Sequence, residues 1–180
     1  MPIYACKFGR ARFHKTYRGY ASYGKCASKK ETFYGFKLHL LISLDGYITD
    51  FTLTSASIDD REALWELTDA KKCLTILGDK GYIGDSIHSE LKTERNINLI
   101  SLKRNNSKAQ LPKQLRQQII ETVNSQLSEH LNIARVFAKS HLGLLTRLET
   151  KILAHNICCF INKVLIKTID TLKIKQLIFE

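Results

Sequence analysis

Residues 37–55 read KLHLLISLDGYITDFTLTS. Two β-rich runs, Lys37 to Ser43 and Tyr47 to Ser55, flank Asp45-Gly46, and Asp-Gly between such runs is a strong hairpin signal. Beyond the hairpin the pattern changes period. Asp59 and Asp60 precede Ala63, Leu64 and Leu67, apolar positions at helical spacing, so one of the two aspartates is expected to cap a short helix. Cys73 to Leu77 reads as a buried strand that ends in Gly78-Asp79-Lys80-Gly81-Tyr82. A helix from about Asp85 to Glu94 and a strand from Ile97 to Leu102 follow. A polar loop holding Lys103, Arg104, Lys108 and Lys113 leads to a helix beginning near Pro112, with Leu115, Ile119, Val123 and Leu127 on one stripe. A last helical stretch fills His141 to about Ile169.

Working back from the hairpin, Gly9 to Lys30 reads as an exposed basic loop and Ile3 to Phe8 as a short strand. The aromatics of that loop, Phe13, Tyr17, Tyr20 and Tyr23, can stack on bases while the cations meet phosphates, or can pin the loop to the core. The order of elements describes a mixed sheet covered by helices, an α/β fold. At 180 residues and 44% hydrophobic composition the chain is expected to form a single domain, residues 1–180.

The net charge of +11 is segmented: +8 from Met1 to Lys30, −6 from Glu31 to Glu94 and +9 from Arg95 onward. Basic blocks around an acidic middle suit a protein that grips a polyanion with its periphery and keeps carboxylates for something inside. Nucleic acid is the obvious polyanion; a solvated basic surface serving solubility and adsorption to a membrane surface are the alternatives. Five cysteines, with no Cys-x-x-Cys pair, argue against a disulfide framework and for a reducing cytoplasm. His155, Cys158 and Cys159 have a spacing compatible with a metal, but no fourth ligand is evident nearby, and buried helical cysteines are the simpler reading. Neither a leader segment nor a membrane-spanning run is expected.

Two acids stand out as candidates for chemistry. Asp79 lies between two glycines at the carboxyl end of a strand, where ligands gather in open α/β sheets; the alternative is a turn aspartate bonding its own backbone. Glu121 is the only acid from Arg95 to Ser128, among Arg95, Lys103, Arg104, Lys108, Lys113 and Arg116. On a helix of about 3.6 residues per turn it lies opposite the Ile119/Val123/Leu127 stripe, as a plain solvated glutamate would. Carboxylates at a strand end and on a later helix could hold Mg²⁺ against DNA phosphates. Two-metal phosphoryl transfer places its ions about 4 Å apart and normally needs a third carboxylate.

Five motifs, taken in order, carry a resemblance: Phe33-Tyr34-Gly35-Phe36-Lys37-Leu38-His39; Asp45-Gly46; Ala56-Ser57-Ile58-Asp59-Asp60-Arg61; Leu77-Gly78-Asp79-Lys80-Gly81-Tyr82; and Ile120-Glu121-Thr122-Val123-Asn124-Ser125-Gln126-Leu127. Over nearly its whole length the chain resembles the DDE transposases of bacterial insertion sequences. That resemblance implies a ribonuclease-H-like catalytic domain, with Asp79 and Glu121, 42 residues apart, as the second and third acids of the triad. It also implies two Mg²⁺ (or Mn²⁺) ions, double-stranded DNA as substrate, possible homo-oligomers on paired ends, and a cytoplasmic, nucleoid-associated protein.

The family's first aspartate lies directly ahead of a segment resembling Met1-Pro2-Ile3-Tyr4-Ala5-Cys6, so the chain is expected to be truncated, with its first, central strand partly missing and any DNA-reading domain absent. Asp45 and Asp50 are poor substitutes, the former belonging to the hairpin turn and the latter to its strand. Where the family often carries an arginine one turn before the glutamate, this chain has Gln117, with Arg116 adjacent. The candidate DNA contacts are Lys15, Arg18, Lys25, Lys29, Lys30, Lys103, Arg104, Lys108, Lys113 and Arg116. The expected function is Mg²⁺-dependent DNA cleavage and strand transfer by an impaired or inactive chain. A non-catalytic DNA-binding remnant that competes with intact transposase, or a decaying fragment, are the other readings.

Overall fold

The computed structural model describes residues 1–26, 29–78, 85–101 and 113–165. The elements run β1 (Pro2–Cys6), a 3-10 turn (Phe8–Phe13), β2 (Ser22–Cys26), β3 (Glu31–Ile42), β4 (Ile48–Ser55), α1 (Asp60–Leu67), β5 (Thr75–Gly78), α2 (Asp85–Arg95), β6 (Asn98–Ser101), α3 (Lys113–Ser125), a π turn (Gln126–His130) and α4 (His141–Leu165). The α/β class expected from the sequence is what the chain adopts. Its described strands fall into two sheets, one four-stranded and antiparallel, the other two-stranded and parallel. The chain groups into two compact units, Met1–Ser57 with Lys113–Glu180, and Ile58–Pro112.

In the first unit β3 is the hub. It pairs antiparallel with β1 through Ile3↔Phe36, with β2 through Tyr23↔Tyr34 and with β4 through Leu38↔Leu53. The β3–β4 hairpin forms as the Asp-Gly signal predicts: Ser43 and Tyr47 close it, Gly46 N–H donates to Ser43 O at 3.0 Å, and Gly46 takes φ +86°, a conformation glycine adopts without cost. Tyr4 is paired in register with Gly35, and its N–H donates to Ala134 O at 2.9 Å rather than to β3. The core joins Ile3, Phe36, Leu38 and Ile48 of the sheet to Val123 and Leu127 at the end of the third helical segment, and to Leu144, Leu148 and Ile152 of α4.

The expected strand Ile3 to Phe8 is corrected to Pro2–Cys6, and the expected loop Gly9 to Lys30 contains both a 3-10 turn and a strand. Ser22-Tyr23-Gly24-Lys25-Cys26 has neither apolar alternation nor β-branched residues, so its strand character comes from pairing with β3 and not from local preference. The stripe expected along α3 holds where it is described, Val123 and Leu127 being fully buried. Residues 102–112 and 166–180, which include Leu102, Pro112 and the expected end of the last helix at Ile169, lie outside the described residues.

Asn156 links α4 to the sheet. Its side-chain amide donates to Ile48 O at 2.8 Å and accepts from Ile48 N–H at 2.9 Å, so that a helix side chain completes the pairing of a strand residue. The preceding residue, His155, is buried with Nε2 3.0 Å from Gln126 Oε1, an approach made where α3 widens into its π turn. There Leu131 N–H reaches back to Gln126 O at 3.2 Å. Cys159 is also buried, its thiol pushed up to about 11 by burial and then by Cys158. Among the described residues no three His, Cys, Asp or Glu side chains group as a metal would require.

Burial holds the His155 pKa below its ordinary value. Because the charged form is disfavoured in the folded state, stability is complete above about pH 6.5 and falls as pH drops below it toward the folded pKa. The midpoint of thermal unfolding should therefore fall between about pH 7.5 and 5.5, and His155→Gln should remove that component. An unchanged drop in the variant would assign it to other groups.

In the second unit Asp59 caps α1, its carboxylate accepting from Arg61 N–H at 2.9 Å, as expected of one of the paired aspartates. The parallel strands β5 and β6 are joined through α2, a βαβ arrangement. Arg95, at the end of α2, donates to Trp65 O at 2.7 Å and Thr68 Oγ1 at 2.8 Å and lies 4.4 Å from the Trp65 ring centroid. It thereby adds a shorter bond to a carbonyl at the end of α1 that otherwise accepts from Thr68, whose N–H lies 3.3 Å away. Among the described residues no helix is long and apolar enough to cross a membrane.

Candidate functional site

Glu121 sits in the last turns of α3, whose following residues anchor it. Val123 and Leu127 point into the core shared with β1 and β3, whereas Glu121 is exposed with Gln118 and Ile120 beside it in sequence. The helix thus presents a carboxylate from a backbone fixed on its other side. Carboxylate oxygen is a hard donor suited to Mg²⁺ or Mn²⁺, and an exposed one can be approached by an ion that keeps part of its water shell.

Asp79, the other expected ligand, lies outside the described residues, immediately after the end of β5 in the chain. Lys103, Arg104 and Lys108 likewise lie outside them. Lys113 and Arg116 fall in α3, with side chains outside what is described. The two substitutes weighed for a third acid occupy the places read from sequence: Asp45 in the hairpin turn and Asp50 in β4, where its carboxylate accepts from Phe51 N–H at 3.0 Å.

The first basic block is described almost completely. Lys15, Arg18, Lys25, Lys29 and Lys30 are all exposed. Lys29 is partly engaged within the protein: its ammonium lies 5.4 Å from the Tyr4 ring centroid and 3.4 Å from the Tyr4 hydroxyl, which donates to Glu31. Burial, then the bond to Glu31, raises the Tyr4 pKa well above its ordinary value. Lys7, Arg10 and Arg12 are exposed as well and were not among the contacts expected from sequence. The three-residue spacing of Lys7, Arg10 and Phe13 was the available signal, since residues i and i+3 eclipse in a 3-10 helix.

The loop aromatics divide between the two uses open to them. Tyr17 is buried, donates its hydroxyl to Ala138 O at 2.8 Å and meets Phe36 edge-on at 5.5 Å. Phe13, Tyr20 and Tyr23 are exposed, Tyr20 stacking on His141 at 4.6 Å.

Neither the curated proteins nor the solved structures contain a match to the chain. The family described as "Transposase DDE domain" matches residues 1–141, a span that takes in β1 through the start of α4 and includes both acids singled out above. With that match over most of its length, the chain belongs to the transposase DDE domain family.

Proposed function

We propose that the protein acts on DNA, cutting and joining the ends of an insertion sequence by Mg²⁺-dependent phosphoryl transfer, with residues 1–180 serving as one ribonuclease-H-like catalytic domain. The observation that carries this reading is the family match over residues 1–141. Asp79 and Glu121 would hold the ions, with Mn²⁺ able to replace Mg²⁺. When bound, two such ions supply activation of the attacking oxygen and stabilisation of the leaving one. The exposed Lys15, Arg18, Lys25, Lys29 and Lys30, with Lys103, Arg104, Lys108, Lys113 and Arg116, would meet phosphates of terminal and target DNA, as would be expected of a nucleoid-associated protein.

Two-metal transfer normally needs a third carboxylate beside Asp79 and Glu121, so slow strand transfer is the result expected if these two act alone. The assay is Mg²⁺-dependent joining of labelled terminal repeats by the purified chain and by Asp79→Ala. Robust joining by the unaltered chain would mean that another carboxylate completes the site. Joining that survives Asp79→Ala would remove that residue from the chemistry.

The exposed cations of the first block also favour a second reading, a non-catalytic DNA-binding protein that competes with intact transposase. It expects salt-sensitive DNA binding that persists when Asp79 and Glu121 both become alanine. Self-association, part of the same proposal, finds support in α4. Leu153, Ile157, Phe160 and Val164 are exposed on the face opposite the buried Leu144, Leu148 and Ile152, at the four-three-four spacing of a helix-pairing seam. An antiparallel pair centred near Ile157 would bring Glu149 of one copy toward Lys163 of the other. Ile157→Glu should then convert the assembly to monomer by sedimentation, with the melting transition retained.

A further inference from the structure

We infer that the turn between β1 and β2 is a stacking platform for unpaired nucleotides, with Phe13 as its principal ring. The inference rests on the DNA-directed reading above and names a substrate class within it: nucleotides outside a duplex. Four aromatic rings within residues 8–23 are exposed: Phe8 at 56%, Phe13 at 74%, Tyr20 at 56% and Tyr23 at 50%. A single exposed aromatic needs no explanation. Here the four are interleaved with six exposed cations, Lys7, Arg10, Arg12, Lys15, Arg18 and Lys25, in a stretch from Met1 to Lys30 that contains no acid.

The 3-10 turn arranges these groups. With about three residues per turn, Lys7, Arg10 and Phe13 form one ridge, and the Arg12 guanidinium lies 5.8 Å from the Phe13 ring centroid. An exposed ring with a guanidinium beside it can take a base on its open face while nearby cations hold the flanking phosphates. The back of the turn is anchored: Ala11 is buried, His14 N–H donates to Ala11 O at 3.1 Å, and the His14 ring stacks at 5.2 Å on the buried Tyr17. The rings are therefore presented from a backbone already in place, which lowers the ordering cost of binding.

The other exposed rings have neighbours on the protein, Phe8 meeting Tyr23 edge-on at 5.6 Å and Tyr20 lying on His141. Phe13 is the most exposed of the four. In an intact duplex the faces of the bases are covered by their neighbours, and an exposed phenyl ring has nothing to stack on. An unpaired nucleotide has its face bare. This difference selects single-stranded or frayed ends over the duplex itself.

The test is fluorescence anisotropy of the full chain with a labelled single-stranded oligonucleotide and with the blunt duplex of the same sequence, across a salt series. Phe13→Ala should bind the single strand about tenfold more weakly and the duplex within about twofold of the unaltered chain. The salt slope should not move, because no charge is lost. Phe13→Tyr should restore single-strand affinity. Equal weakening on both probes, or no weakening on either, overturns the proposal. Strand-transfer results on Asp79→Ala do not enter this comparison, so failure of the platform and failure of the transposase reading are separately visible.

Discussion

Replacing Glu121 by alanine should abolish Mg²⁺-dependent strand transfer and divalent-ion binding while leaving the melting transition nearly in place. The two halves of this expectation have different physical origins. Glu121 is exposed, and exposed substitutions away from caps and buried networks change stability by about 0.5 kcal/mol or less. The helix that carries it is held by Val123 and Leu127, which the substitution leaves alone. A carboxylate that binds the ion directly has a larger effect. Losing a group that merely orients a metal ligand costs about 10–100-fold in affinity or activity, and losing the ligand itself should exceed that. Mn²⁺ binding followed by calorimetry is the direct measurement, since it does not depend on how fast residues 1–180 join DNA. Glu121→Ala that binds Mn²⁺ as well as the unaltered chain would remove Glu121 from the metal site.

Gly35→Ala should be the most destabilising single methyl group that can be added to the sheet. A Cβ built at Gly35 would stand 2.0 Å from Ile3 O and 2.9 Å from Ala5 N, both backbone atoms of β1. No side-chain rotation relieves contacts with backbone, so β1 would have to move off β3 at the point where their register already shifts, between Tyr4 and Cys6. Ile3 belongs to the core that also holds Phe36 and Val123, so a displacement of β1 loosens the anchorage of α3. Overpacking typically costs about 1–3 kcal/mol, and a clash with backbone belongs at or above the top of that range. For a chain of this length that corresponds to a fall of roughly 6–12 °C in the thermal midpoint. Gly24→Ala is a useful comparison: its Cβ would meet the Ala56 Cβ and O at 2.8 Å, contacts equally fixed to the backbone but less close than the 2.0 Å approach at Gly35. A melting curve for Gly35→Ala that overlays the unaltered one would show that β1 accommodates the methyl group.

What could be read before the fold was known depended on local chemistry. Asp45-Gly46 encodes its own turn because glycine alone takes the positive φ there at no cost, and the hairpin forms as read. Asp59 caps α1 through a bond to Arg61 N–H two residues on, again a short-range event. The spacing of Ile119, Val123 and Leu127 placed Glu121 opposite the buried stripe, and Val123 and Leu127 are buried while Glu121 is exposed. The family, too, was legible, because its motifs are short runs in a set order and the match spans residues 1–141.

Other features have no local signature. Strand β2 pairs through a stretch that by itself favours no regular structure, and only the open edge of β3 makes it a strand. The requirement for glycine at position 35 arises from Ile3, 32 residues earlier, and cannot be seen in the residues around it. Arg95 counted in sequence as one more cation beside Glu121; tertiary structure commits it to the end of α1 and the Trp65 ring. By itself, then, the sequence determined the turns, the caps, the helix faces and the family, all set by interactions within a few residues. Which strand lies beside which, which glycine admits no methyl group and which cations are taken up within the protein were decided by contacts between residues far apart in the chain, and those exist only once the sheet has assembled.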